Sequence, residues 1–214
     1  MQIHVPPTAV VGTNVFDAFM DQGGLRELAL GETDNDHITR HFLDTKLPPA
    51  IYGDLEAFLD QVRYPLAVRS SSMLEDSQFQ PFAGVYATYM LANNHPDLKV
   101  RLDQLCDAIK LVYASAYSTA AKSYIEATSN RIEEEKMAVI IQQMVGQQYE
   151  SYDYPHFSGV AHSSNFYPSP GMDPQDGVAA VALGLGRMVV EGGQSLRFSP
   201  ANPGVLPQCG TVGE

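Results

Sequence analysis

Arg69 and the serines that follow it, Ser70, Ser71 and Ser72, are the residues of this chain whose types and spacing suit the capture of an anion. A guanidinium offers five donors in a fixed fork that matches phosphate oxygens, and serine hydroxyls with consecutive backbone N–H groups add short-range donors. Residues 66–68 read as a buried strand that delivers Arg69 and the serines into a loop, and the loop closes through Phe82, Ala83 and Gly84. Glu75 and Asp76 can hold a divalent cation beside a bound phosphate or cap a local turn. A strand ending in an ion-paired arginine and a serine-rich turn accounts for the same residues, so the choice rests on the rest of the chain.

Other residues carry weaker signals. His37 and His41 are four apart, a spacing that lets two imidazoles hold a metal on one helix face. No third ligand stands near them in sequence, and surface histidines are the plainer reading. Cys106 and Cys209 are too few and too far apart for a disulfide framework or a zinc site, which fits a reducing cytoplasm. Gly184-Leu185-Gly186, with a glycine pair downstream, hints at a dinucleotide-binding oxidoreductase. The spacing departs from that motif, and no βαβ unit with a ribose-binding acid follows.

The elements that must position these residues follow from pattern. Pro6 and Pro7 forbid helix, and 9–11 are strand-like. Thr13 is expected to cap a short helix with Val15, Phe16, Phe19 and Met20 on one face. Residues 25–30, 33–44 and a stretch from Pro49 with Leu55, Phe58, Leu59 and Val62 read as further helices. Residues 85–91 return as a strand, and Asn93 to Pro96 open a helix. Leu98, Leu102, Leu105, Ile109, Val112 and Ala116 recur at steps of three and four, the clearest helical signal in the chain. Residues 117–127 continue or restart it, and the charges at 131–136 read as a solvated turn. Residues 137–145 form an apolar run expected to be buried on both faces. Later, 147–153 alternate weakly, 169–177 form an exposed, mobile loop, and 178–183 form a buried strand.

Taken together, Val68 to Tyr89 resembles the signature of the ATP-binding domain shared by phosphoenolpyruvate synthases, pyruvate phosphate dikinases and rifampicin phosphotransferases: Val-Arg-Ser-Ser, then Glu-Asp, then Phe-Ala-Gly and Thr-Tyr in order. The likeness recurs at 5–11, 137–145, 157–168 and 184–193. It implies an α+β, ATP-grasp-like fold with a mixed or antiparallel sheet, a first lobe at 1–136, a second at 137–199 and a tail at 200–214. It further implies ATP and Mg2+ as cofactors, with Arg69 clamping phosphate and Ser70, Ser71, Ser72 and Gly84 shaping the loop over it. Gln143, Met144 and Val145 would line the adenine with backbone groups. In complete members ATP phosphorylates a histidine on a swivelling domain, with release of AMP, before transfer to pyruvate or a related acceptor. Thr39-Arg40-His41 resembles that histidine's motif by spacing alone.

Two departures stand out. The family's Gly-Gly-Lys-Gly segment precedes the first strand and is expected to be missing here, so that the fragment alone is expected to be inactive. Ala180 and Arg187 occupy the neighbourhood of two customary glutamates, and Glu191 and Gln194 are the nearest candidate metal ligands. A degenerate nucleotide sensor or structural module is therefore the alternative. Composition sets outer limits: 44% hydrophobic and 18% charged residues describe a globular chain, and a formal charge of −12 disfavours nucleic-acid backbone. No apolar run is long enough to span a membrane.

Overall fold

A computed structural model describes residues 3–72, 74–75, 84–128, 131–190 and 192–206. The chain divides into two units, Met1–Met144 and Val145–Glu214. Both combine helices with antiparallel sheets, the α+β class expected.

In the first unit, β1 (Thr8–Val11), β2 (Leu66–Ser72), β3 (Thr88–Leu91) and β4 (Met137–Gln143) form one sheet in the order β1-β4-β2-β3. The pairing of β2 with β4 runs from Leu66 opposite Gln143 to Ser72 opposite Met137. Strand β2 is thus longer than the three residues expected, because β4 pairs with the arginine and the serines as well. Along β4, Met137, Val139 and Ile141 are buried while Ala138, Ile140 and Gln142 are half-buried. The apolar run expected to be buried on both faces is closed on one face only. Because β4 lies between β1 and β2, it belongs to the first unit, and the boundary falls after it at 144/145 rather than before it.

The helices are α1 (Thr13–Met20), α2 (Leu25–Gly31), α3 (Asn35–Asp44), α4 (Pro49–Gln61), α5 (Leu98–Ser115) and α6 (Thr119–Glu126). Helices α2 and α4 begin at Leu25 and Pro49 as expected, and the other starts differ by a residue or two. Gly12 rather than Thr13 holds the N-cap position of α1, and Asp34 caps α3 by accepting from the N–H groups of Asp36 and His37. Helix α5 begins beyond Pro96, where Asp97 accepts from the Lys99 N–H at 2.9 Å. On α5, Leu105, Ile109 and Val112 are buried as their spacing demands. An aromatic cluster ties α1, α3 and α5 together, with Phe16 edge-on to Tyr113 at 5.0 Å and Phe19 at 5.6 Å from both Phe42 and Tyr113.

The last carbonyls of a helix lack intrahelical partners. Here α5 and α6 send a cation into the C-terminal end of each of three helices. Arg101, 1% exposed, donates to the carbonyls of Leu59 at 2.8 Å and Val62 at 3.1 Å at the end of α4, and to Asn93 Oδ1 at 3.1 Å. Asn93 Nδ2 donates in turn to the Val62 and Tyr64 carbonyls just before β2. Lys110 donates to Leu43 of α3 at 2.7 Å, and Lys122 to Ala29 and Leu30 of α2 and to Glu32. Burial lowers the pKa of Arg101 and of Lys122, and carbonyl dipoles at a helix C-terminus favour the charged forms.

The charged segment expected as a solvated turn instead forms a short 3-10 turn, Ile132–Glu134, and tucks Glu135 inside at 5% exposed. Glu135 faces Ser72 and Tyr86. Burial raises its pKa above the usual carboxylate range, the two hydroxyls oppose the rise, and the charge of Glu75 adds to it. Tyr86 is pushed far above the usual phenol range by burial first and by the Glu135 charge second.

The second unit holds a hairpin, β5 (Gln147–Tyr149) with β6 (Tyr152–Tyr154), where the sequence suggested one weak strand. Gly146 is required there, since a Cβ would lie 2.8 Å from the Tyr154 carbonyl carbon. Strands β7 (Phe157–His162), β8 (Val178–Leu183) and β9 (Leu196–Phe198) make a sheet in that order, and α7 (Arg187–Val190) contacts β7 and β8. The loop before β8 is pinned by a capping box between Asp173 and Asp176.

Replacing Arg101 with Met leaves the carbonyls at the end of α4 unpaired, and denaturant unfolding is expected to show a loss of about 1–3 kcal/mol. Because the folded pKa of Glu135 lies above its unfolded value, the native state holds that proton longer. Its contribution to stability is therefore lost as pH rises from the ordinary carboxylate range through the raised pKa. The stability of Glu135→Gln relative to the parent should climb across that interval in unfolding curves taken at several pH values; a difference independent of pH would contradict the assignment.

Candidate functional site

The pleat of β2 divides the anion-binding residues expected from the sequence. Leu66, Val68, Ser70 and Ser72 are buried, whereas Arg69 is exposed and Ser71 half-buried. Ser70 Oγ donates to Glu75 Oε1 at 2.9 Å, and the Ser72 N–H donates to Glu75 Oε2 at 3.1 Å. Glu75 therefore pins the chain as it leaves β2, a structural duty rather than that of a metal ligand, and Asp76 lies outside the described residues. Arg69 and the serines sit on a strand rather than in a loop. Of the four, only Arg69 and Ser71 stand on the outward face.

That face can be read from the register. Arg69 lies opposite Thr88 on β3 and Ile140 on β4, and Ile140 opposite Val10 on β1. Ser71 lies opposite Ala138, and Ala67 opposite Met90 and Gln142. The result is a shallow surface of small and apolar residues, with Val10 63% and Met90 61% exposed, around one arginine that has no ion-pair partner among the described residues. Such a surface suits a flat apolar ring together with a phosphate. An apolar cavity of about 420 Å3 lies elsewhere, between β1, α1 and α4, and includes neither Arg69 nor Ser71.

Of the residues expected at the adenine, the Gln143 N–H donates to the Pro7 carbonyl and the Met144 N–H to that of Pro65, each at 2.9 Å. Both amides are committed to extending the sheet, while Val145 is 66% exposed. Gly84 has φ +84°, a conformation that a side chain would strain.

In the second unit, Ala180 lies opposite Val160 on β7 and Arg197 on β9. These residues, with His162, Val178 and Ser195, line a cavity of about 500 Å3. Arg197 donates to Asn165 Oδ1 at 3.4 Å. Sequence reasoning passed over Arg197, although the alternation Leu196-Arg197-Phe198 was a strand signal that would place the arginine opposite Phe198 in facing. Gly184 has φ +73°, and its carbonyl accepts from Ser158 Oγ at 2.7 Å, which fixes the turn into α7. Among the residues named for magnesium, Ala180 and Arg187 bring no carboxylate, Gln194 is an exposed amide, and Glu191 lies outside the described residues.

The family model for the pyruvate phosphate dikinase AMP/ATP-binding domain matches residues 1–206. The chain is 27% identical over 191 residues to a Bacillus subtilis (strain 168) protein named as an uncharacterized phosphotransferase, YvkC, covering 88% of this chain and 20% of that protein. It is 26% identical over 164 residues to the phosphoenolpyruvate synthase of Aeropyrum pernix, covering 67% of this chain and 19% of that enzyme. The chain thus spans about a fifth of the length of these relatives. The match takes in both sheets, the Arg69 face and the Arg197 cavity alike, and the chain belongs to the pyruvate phosphate dikinase AMP/ATP-binding domain family.

Proposed function

We propose that this chain is the nucleotide-binding part of an ATP-dependent phosphotransferase of the phosphoenolpyruvate synthase or pyruvate phosphate dikinase type, working in the cytoplasm. The observation that carries the reading is the placement of Arg69: a solvent-facing guanidinium on the uncovered face of an otherwise small and apolar sheet. ATP, when bound, supplies the phosphoryl group. Arg69 holds its phosphate oxygens by charge-assisted hydrogen bonds and offsets negative charge that builds during transfer. Ser71 adds a hydroxyl on the same face. Ser70 and Ser72 act one step removed, through Glu75, by fixing the chain beyond β2. At the adenine edge we assign the donor role to the Val145 N–H, since those of Gln143 and Met144 are engaged. The histidine carrier and the pyruvate-type acceptor belong to portions of the relatives that this chain does not match, and isolated it binds nucleotide without completing transfer.

Ala180 and Arg187, near two customary glutamate positions, favour a second reading. A second unit without carboxylates there suits a module that binds nucleotide as a sensor, or serves as structure, without transferring phosphate.

Calorimetric titration with ATP tests the assignment. Arg69→Ala should weaken binding by about 1.5–3 kcal/mol, the size of a hydrogen bond to a charged group. Ser71→Ala should weaken it less, and Ser70→Ala should lower stability while leaving affinity unchanged. Equal affinity in Arg69→Ala would rule out this face as the phosphate site. Absence of binding at millimolar ATP would leave the structural reading. ATP-dependent release of AMP by the longer protein in the presence of pyruvate would exclude a module without transfer.

A further inference from the structure

The corner between α2 and α3 carries a cluster that the nucleotide reading does not use. His37 and His41 lie one turn apart on α3, with ring centroids 4.5 Å apart and planes at 80°. Their Nε2 atoms face each other at 3.0 Å. The Nδ1 atom of His37 contacts Glu32 Oε2, while Glu32 Oε1 accepts from the N–H groups of Thr33 at 2.8 Å and Asp34 at 3.0 Å. The backbone at Glu32 is held as well, since its carbonyl accepts from Lys122 on α6.

We propose that His37 and His41 form a site for a divalent transition-metal cation of the zinc or nickel type, both binding through Nε2, with Glu32 orienting His37. Two imidazole nitrogens on one ion, at bonds of about 2.0–2.1 Å, stand roughly 2.9–3.4 Å apart for bond angles between a right angle and the tetrahedral value. The observed separation falls in that range before any metal is present. A carboxylate on Nδ1 fixes the proton there and leaves the Nε2 lone pair directed outward, the arrangement that surrounds metal-binding histidines. Glu32 is suited to the role because its other oxygen is held by the Thr33 and Asp34 N–H groups, which fixes the carboxylate against His37.

Without metal, the His37 Nδ1–H donates to Glu32 and the His41 Nε2–H donates to His37 Nε2. On metal binding the His41 proton moves from Nε2 to Nδ1, so both rings bind as neutral imidazoles and no proton is lost overall. The His37 side chain is 43% exposed, which leaves room for water or an external ligand at the remaining coordination positions. Nitrogen donors select zinc or nickel over magnesium.

The test is calorimetric titration of Zn2+ into the chain, with circular dichroism to verify folding. One equivalent should bind, and Mg2+ should give no binding heat. His37→Ala and His41→Ala should each abolish this equivalent, and Glu32→Gln should weaken it about 10- to 100-fold. Zinc binding that persists in either histidine variant, or is absent at sub-millimolar zinc, would overturn the site and leave a hydrogen-bonded histidine relay. Unchanged affinity in Glu32→Gln would overturn the orienting role of Glu32.

Discussion

Strand β2 is paired on both sides, with β4 along its whole length and with β3 over its first four residues. This constraint governs the proposed phosphate face of the first unit. A strand held by two ladders cannot rotate its side chains, so the period of two decides which residues meet the core and which meet a ligand. Four neighbours of similar chemistry are thereby sorted into two jobs. Ser70 and Ser72 turn inward and join Glu75, while Arg69 and Ser71 face away from the helices.

The helices keep the opposite face of that sheet closed, and the way they end is as informative as the way they pack. Arg101, Lys110 and Lys122 each serve the carbonyls of another helix's last turn, so much of the chain's small stock of cations is spent inside the fold. In a chain of net charge −12, the cations left on exposed sheet surfaces are few, and Arg69 and Arg197 are prominent among them. An anionic ligand approaching an acidic protein is drawn to such positive points.

The second unit departs from what the family resemblance implies for metal binding. Near two customary glutamate positions the chain has Ala180 and Arg187, and the cavity beside β8 is lined by Ala180 and Arg197. A guanidinium can neutralise phosphate charge without a metal, whereas it cannot replace the oxygen donors that magnesium requires.

From the sequence alone, the family, the α+β class and the long helix α5 were legible. Each of these is carried by local order: motif spacing, apolar periodicity and residue type over a few turns or one strand. The same reading placed Arg69 and the serines in a loop, took Glu135 for a solvated charge, and passed over Arg197. What decided those points was pairing between segments far apart in the chain. Residues 137–143 extend β2 through the serines, Tyr86 and Ser72 receive Glu135, and residues 178–183 bring Ala180 opposite Arg197. Composition and spacing dictate which elements form. Which face of an element a ligand can reach depends on what else covers it, and only the tertiary structure sets that.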